Sequence, residues 1–565
     1  MQLTDRHKMY FLATVLIVPE TDKNGGVTPM DMTEPTEVNN SNQTPYLREQ
    51  GSATQLIVEG KPFLVLGGEL HNSSSSSLEY MRPIWERLVA LKLNTVLAPV
   101  SWELIEPEEG VFDFTLVDGL IQDARRHDLR LIFLWFGSWK NGMSSYIPLW
   151  VKQDYRRFPR VELQDGQTVE VLSTLDEANW QADARAFAVL MHHIREVDGG
   201  DHTVIMMQVE NEVGVLGDSR DRSGAANRAF AGSVPRELID QLQQHQHELA
   251  AEVRQHWEAS GFKTSGSWTE IFGSGPETDE IFMAWNYARY VDSVAAAGKA
   301  EYDIPMFVNA WLSRPRQIPG DWPSGGPLPH TLDIWLAGAP HIDMLCPDIY
   351  FGDFHEWCQQ YTRRGNPLFI PETQFDEGGS RNLFYAIGQH DALGTSPFGI
   401  DSIENPVDAP LSKSYSVLSQ LAPLILEYQG KGAIVGFVLD EERPGITREL
   451  GGYQLEISLD HGLDYRAEHG CGLVIASGPD AFIGAGYGFR VRFRPKTPGP
   501  ALVGIAAVDE GEYRHGKWLP SRRLNGDETL SGQWWRFPAS GQRSSIFPPS
   551  QRLSGIERCA VYRYE

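Results

Sequence analysis

At 565 residues the chain exceeds what one simple core supports, so a large domain of roughly 250 to 400 residues with at least one smaller companion is expected. Its 49 Lys+Arg against 75 Asp+Glu give a formal charge of −26, which repels phosphate backbones and anionic lipid surfaces and argues against nucleic acid and membranes as partners. Hydrophobic residues make up 41% and aromatic residues 11%, ordinary for a globular protein, and no apolar run reaches the roughly 20 residues of a membrane span.

In chain order, Met9 to Pro19 ("MYFLATVLIVP") comes after Arg6, His7 and Lys8 and has the basic flank and apolar centre of a signal segment, without a convincing cleavage site. The polar stretch after it reads as a disordered lead-in, with no folded core expected before about Pro45. Cys346, Cys358, Cys471 and Cys559 are too few and too scattered for a disulfide framework or a paired zinc site; isolated buried thiols are the default, which tilts the chain toward an intracellular location. Sequons at Asn39, Asn42 and Asn72 are of a kind common by chance.

From Gln55 onward, apolar runs alternate with helical patterns. "FLVLGGEL", "TVLAPV", "LRLIFLWFG", "TVIMMQVE", "PMFVNAW", "HIDMLCPDIY", "PLFIPETQF" and "AIGQHDALGTSPFGI" make eight strand candidates, and continuous Val/Ile/Leu/Phe runs are what parallel strands buried on both faces look like. Helices are expected over "LEYMRPIWERLVALK", "LVDGLIQDARRHD", "ADARAFAVLMHHIREVD", the long "PRELIDQLQQHQHELAAEVRQHWEASG" and a stretch near Lys413 to Tyr428. The count predicts a (β/α)8 barrel over residues 45–430, an α/β fold, preceded by the lead-in of residues 1–44. The short alternating segments after Gly432 predict a smaller all-β, sandwich-like domain over residues 431–565.

A barrel of this kind collects functional groups at the C-terminal ends of its strands. Those ends carry Glu69 and His71, then Ser101, Trp102 and Glu103, then Ser138 and Trp139, then Glu210, Asn211 and Glu212. The later ones carry Asn309 and Trp311, Asp348 and Tyr350, Glu372 and Gln374, and Ser396 and Phe398. Two carboxylates on opposite sides of such a mouth can cleave a glycosidic bond, one protonating the leaving oxygen while the other attacks the sugar carbon. Glu212, ending the fourth strand, and Glu372, ending the seventh, are separated by three βα units of about 50 residues each and so reach the mouth from roughly opposite rims. Strand alternation puts Glu210 and Glu212 on one face, so a bulge or the strand end must redirect one of them; Glu210 is expected in a structural ion pair. Trp102, Trp139 and Trp311 are candidates to stack on a pyranose face. Tyr350 is a candidate hydrogen-bond partner of Glu372 or a plain core tyrosine, and His71 contacts sugar or only fixes the first loop. His245 and His247, two apart on a helix, point in different directions and make no metal pair; no metal and no cofactor is implied.

"QVENEVG", residues 208–214, resembles the fourth-strand signature of glycoside hydrolase family 35 and its clan of retaining barrel glycosidases. The resemblance implies Glu212 as acid/base, Glu372 as nucleophile and Asn211 as a contact for the sugar hydroxyl next to the anomeric carbon. "VSWELIEPEEGVFDF" is similar to the family's second-strand motif with Trp102, Glu106, Pro107, Gly110, Phe112 and Phe114 in register, but Glu103 stands where the pattern has Asn and Ile105 where it has His. "LWFGSWKNGMSSYIPLW" keeps Pro148 and Trp150 of the third-strand motif and lacks its Glu. "GELHNSSSSSLEYMRPIWERL" and "GQHDALGTSPFGID" resemble a subgroup with an added C-terminal β-domain, some of whose members act on galactosylated xyloglucan oligosaccharides. The resemblance as a whole implies a retaining exo-β-galactosidase with an oligosaccharide substrate, compatible with a homo-oligomer. The expected substrate-binding set is Glu69, His71, Trp102, Glu103, Trp139, Asn211, Asn309, Trp311 and Tyr350. The alternatives are another glycone on the same machinery, such as glucose or arabinopyranose, and a catalytically idle carbohydrate-binding protein.

Overall fold

The computed structural model describes residues 43–461, 465–524, 526–539 and 555–565. The signal-like segment, most of the lead-in, Asn39 and Asn42 lie outside the described residues. Eight parallel strands form one sheet: β1 (Val65–Glu69), β2 (Thr95–Ser101), β3 (Arg130–Phe136), β4 (Val204–Val209), β5 (Met306–Trp311), β6 (Met344–Ile349), β7 (in two pieces, Phe369–Ile370 and Glu372–Thr373) and β8 (Gly394–Thr395). The first and last members of the sheet are the two pieces of β7, parted only by Pro371, so the sheet closes on itself. Proline has no N–H for the ladder, which is why the strand breaks there.

The apolar runs owe their continuity to burial on both faces. In β3, Ile132, Leu134 and Phe136 point into the barrel with Val65, Leu97, Ile205, Phe307, Cys346 and Phe369. Leu131, Phe133 and Trp135 point outward into the layer shared with the helices. A three-stranded antiparallel sheet (Tyr46–Gln50, Ala53–Val58, Lys61–Phe63) adds Leu56 and Val58 to the interior cluster. All four cysteines are free and buried.

Two helical expectations change, and one helix is added. The first helix is broken into Leu78–Met81 and Trp85–Ala90 around Pro83, which cannot donate to the preceding turn. The long helix after Pro235 is two, Arg236–Gln244 and Ala251–Ala259, with His245 capping the first and paired to Glu248 at 3.1 Å; the N–H of Ala250 donates to buried Asp333. A 26-residue helix, Pro276–Glu301, has no counterpart among the expected elements because it is buried nearly all round and shows no amphipathic period. The eighth strand is only two residues long, and Ala386–His390, expected to be its start, ends the helix Glu377–His390.

Beyond the helix Pro410–Tyr428 the described residues build a six-stranded and a four-stranded antiparallel sheet, facing each other across Val435, Phe437, Val474, Leu455, Val491 and Trp535. The other face of the six-stranded sheet, through Cys471, Leu473, Ile475 and Ile483, joins the same apolar core as the barrel helices. Gly436 makes that docking close: a Cβ on it would lie 2.1 Å from the carbonyl oxygen of Phe384. Among the described residues no helix is long and apolar enough to cross a membrane.

Candidate active site

The strand ends β1, β4, β5, β6 and β7 and the segment after β3 bring Glu69, Lys140, Glu212, Asp348, Glu372, Asn211, Asn309 and Tyr350 into one buried cluster at the barrel mouth. Its geometry starts with the backbone of "ENE". Glu210 and Glu212 both take left-handed conformations, φ 62° and 43°, each rare for a residue with a Cβ. The strand ends at Val209, and these two turns send the carboxylates in different directions, which resolves the conflict that strict alternation poses. Glu210 faces outward and accepts the Trp139 N–H at 2.7 Å beside the Asp183 carboxyl. Instead of the expected ion pair it meets another acid: burial, then the Asp183 charge, push its pKa well up, which favours the protonated form of Glu210.

Glu212 turns into the mouth. Its N–H donates to Asn309 Oδ1 at 3.0 Å, and Asn309 Nδ2 donates to Asn211 Oδ1 (3.1 Å), Asp348 Oδ2 (2.8 Å) and Glu372 Oε1 (3.4 Å). Asn309 thus ties three strand ends together. Asn211 accepts a second bond from Gln208 at 2.7 Å and gives one Nδ2 hydrogen to the carbonyl of Lys140, leaving one hydrogen for a ligand. Tyr350 donates to Glu372 Oε2 at 2.6 Å. One carboxyl oxygen from each of Glu212, Asp348 and Glu372 lies within 4.8 Å of the others. That spacing would suit a divalent cation, but positive charge and donors already reach the cluster from the chain: the Lys140 ammonium, 4.0 Å from Glu212 Oε2, and the Asn309 amide.

Burial dominates the electrostatics. It raises Glu212 to about 7, with the Glu372 charge adding to the rise and Lys140 opposing it. Glu69 and Asp348 are pushed well above the usual carboxylate range by burial and then by Glu372. Burial and then the Glu372 charge also raise the Tyr350 phenol, which therefore stays a neutral donor.

Several expected members stand elsewhere. Trp102 is 0% exposed, its indole spent on Glu106 at 2.8 Å, and Trp139 is 1% exposed against Tyr287 and Tyr290; neither has a face left for a sugar, because the helical layer covers both. Glu103 lies beside Lys152 at 3.4 Å and lines a separate cavity of about 230 Å³ with Asn72, Ser101 and Tyr146. His71 is a half-exposed partner of Asp401 at 2.9 Å and fixes the first loop. Trp311 is half-buried at the end of β5, in register with Asp348. Ser138, where the third-strand motif has Glu, is turned outward to Asp183 and Tyr290. Lys140 and Asp348 are absent from the expected set. Asp348 carried the strand-end signal; Lys140 carried none, since a lysine in a loop reads as solvated surface.

The model of Glycosyl hydrolases family 35 matches residues 55–273, and that of a domain of unknown function, DUF5597, matches residues 411–536. A β-galactosidase of Xanthomonas manihotis is 29% identical over 184 residues, 31% of this chain and 28% of that protein. β-Galactosidase 8 of Oryza sativa subsp. japonica is 30% identical over 169 residues, 29% of this chain and 23% of its own length. The chain thus spans about a quarter of the length of these curated relatives. Among solved structures, a β-galactosidase from Rahnella sp. R3 superposes with a TM-score of 0.44 at 14% identity, covering 65% of this chain and 57% of that one. Over residues 55–273 this chain is thus similar to glycosyl hydrolases family 35, and the curated relatives it resembles over about a third of its length are β-galactosidases.

Proposed function

We propose that the protein is a retaining exo-β-galactosidase that removes terminal β-D-galactose from oligosaccharides, with galactosylated xyloglucan fragments as the natural class. The observation that carries this reading is that one carboxyl oxygen of Glu212 lies within 4.8 Å of one carboxyl oxygen of Glu372 across the mouth. Carboxyl groups about 5 to 5.5 Å apart leave no room for a water between the second carboxylate and the anomeric carbon, whereas inversion needs about 6.5 to 9.5 Å. The names of the two curated relatives support the galactoside.

In the first step an oxygen of Glu372 bonds to the anomeric carbon as the bond to the aglycone oxygen breaks, and that oxygen takes the proton of Glu212. The rise of Glu212 to about 7 suits it to hold a proton near neutrality and then serve as base. In the second step Glu212 accepts a proton from water, the water oxygen bonds to the anomeric carbon, and Glu372 leaves, giving galactose of retained β configuration. Asn309 and Tyr350 hold Glu372 in place, and the remaining Asn211 hydrogen is available to the hydroxyl beside the anomeric carbon. A different glycone on the same machinery is the second reading, favoured by Ser138 offering no carboxylate where the family motif has one.

The test is hydrolysis of a panel of nitrophenyl β-glycosides with the anomer of the product tracked by NMR. Fast release from the galactoside with β-galactose formed first supports the reading. Preference for the glucoside or arabinopyranoside replaces the glycone, and no turnover on any of them rejects the enzyme.

A further inference from the structure

We propose that Lys140 is a specificity-determining residue of the sugar pocket, its ammonium donating hydrogen bonds to a glycone hydroxyl while Glu69 accepts from that hydroxyl or its neighbour. This rests on the glycosidase reading and names what in the substrate the site recognises.

Two buried polar groups with unspent hydrogen-bonding capacity carry the argument. The Lys140 side chain is 5% exposed, and Nζ rests 5.5 Å from the centre of the Phe136 ring. Among the described residues Nζ comes within hydrogen-bonding distance of no carboxylate; the nearest, Glu212 Oε2, is 4.0 Å away. Glu69 is 0% exposed, and neither of its carboxyl oxygens has a partner. The two groups are within electrostatic reach of each other, of Asp348 and of both central glutamates. Leaving a buried donor or acceptor unpaired is costly, so folded chains pair nearly all of them. A donor and an acceptor left open within electrostatic reach of each other at the barrel mouth match a hydroxyl, which needs both.

Nζ stands at the outer edge of ion-pair distance from Glu212 Oε2, at 4.0 Å, and spends no hydrogen bond on it. Burial by itself would favour neutral Lys140, but Glu372, Glu212, Glu69 and Asp348 more than reverse that, so three N–H donors are present. The third-strand motif of the family has a Glu near this position; here the outward-turned Ser138 and the inward Lys140 exchange an acceptor for a donor.

The test compares wild type with Lys140→Met and Lys140→Gln on nitrophenyl β-galactoside and on its 3-, 4- and 6-deoxy analogues, after thermal melts show both variants folded. With the wild type, the analogue lacking the hydroxyl read by Lys140 is expected to lose roughly 10- to 100-fold in kcat/KM. In Lys140→Met that one penalty disappears while the others persist, and Lys140→Gln, which keeps a donor, retains part of it. Full penalties on all three analogues in the Met variant overturn the proposal, and Lys140→Gln decides alone if the Met variant does not fold. A wild type that hydrolyses no nitrophenyl glycoside rejects the enzyme reading separately; titration with D-galactose by calorimetry then decides for Lys140. At least tenfold weaker binding by the variant supports it, and equal affinity, or no binding to either protein, overturns it.

Discussion

The hydroxyl of Tyr350 donates to Oε2 of Glu372 at 2.6 Å, across the gap between the end of β6 and the end of β7. A hydrogen bond to a charged acceptor is worth about 1.5–3 kcal/mol and lowers the basicity of that acceptor. Without it Glu372 becomes a poorer leaving group in the second step. Tyr350→Phe is therefore expected to reduce kcat by roughly 10- to 100-fold with a smaller effect on kcat/KM. Pre-steady-state release of nitrophenol should show a burst larger than that of the wild type; an equal fall in both parameters without a burst would remove Tyr350 from this role.

Assignment of the two glutamates has a stereochemical readout. Glu372→Ala with azide should yield α-galactosyl azide, because azide enters the vacated nucleophile side. Glu212→Ala with azide should yield the β-azide, because azide then replaces water on the glycosyl-enzyme. Products of the opposite anomeric form would exchange the two roles.

On the proposed mechanism the pH dependence is set by Glu212. It must carry its proton when it acts as acid, and burial, then the Glu372 charge, place that proton's loss at about 7. Accordingly kcat/KM should hold below that value and fall about tenfold per pH unit above it. The groups facing Glu212 are Glu372, Lys140, Asn141 and Asp348, of which Lys140 lowers its proton affinity by charge. Lys140→Met should move the alkaline limb to higher pH; a limb that stays put, or moves down, contradicts the electrostatic account.

Docking of the β-domain is tested at Gly436, whose Cα lies against Gly388 of the helix Glu377–His390. Gly436→Val should cost ~1–3 kcal/mol or more, read as a lower denaturant midpoint, since backbone on both sides cannot yield as a side chain would. Deleting residues 432–565 should give an aggregated, inactive protein, because Leu383, Phe384 and Ile387 lose their cover. A soluble, active barrel would make the β-domain an independent module.

Asp183 offers a stability test behind the site. It accepts from the Trp135 indole (2.8 Å), the Ser138 N–H (3.1 Å) and hydroxyl, and Tyr290 (3.3 Å), all of them buried. Asp183→Ala strands these donors and should cost ~3 kcal/mol or more in chemical denaturation. A cost below ~1 kcal/mol would mean that water or Glu210 replaces the carboxylate.

Much of this was legible in the chain. Apolar runs such as "LRLIFLWFG" announce strands buried on both faces, and the polar groups that end them reflect the barrel's habit of presenting chemistry at one rim; that was enough to single out Glu212, Glu372, Asn211, Asn309 and Tyr350. Only the folded structure decided which way each side chain points. Glu210 and Glu212 part because two left-handed residues come after β4, a backbone choice that strand periodicity does not encode. Trp102 and Trp139 sit at strand ends as expected, yet they are sealed by Glu106 and by Tyr287 and Tyr290, partners distant along the chain or turned by a local helix. Lys140 is the sharpest case: residue type and spacing say surface, and only the convergence of five strand ends makes a buried ammonium stable there. Local pattern determined the elements and the pair of acids, while long-range packing, which sets solvent access and the electrostatic field, determined the rest of the site.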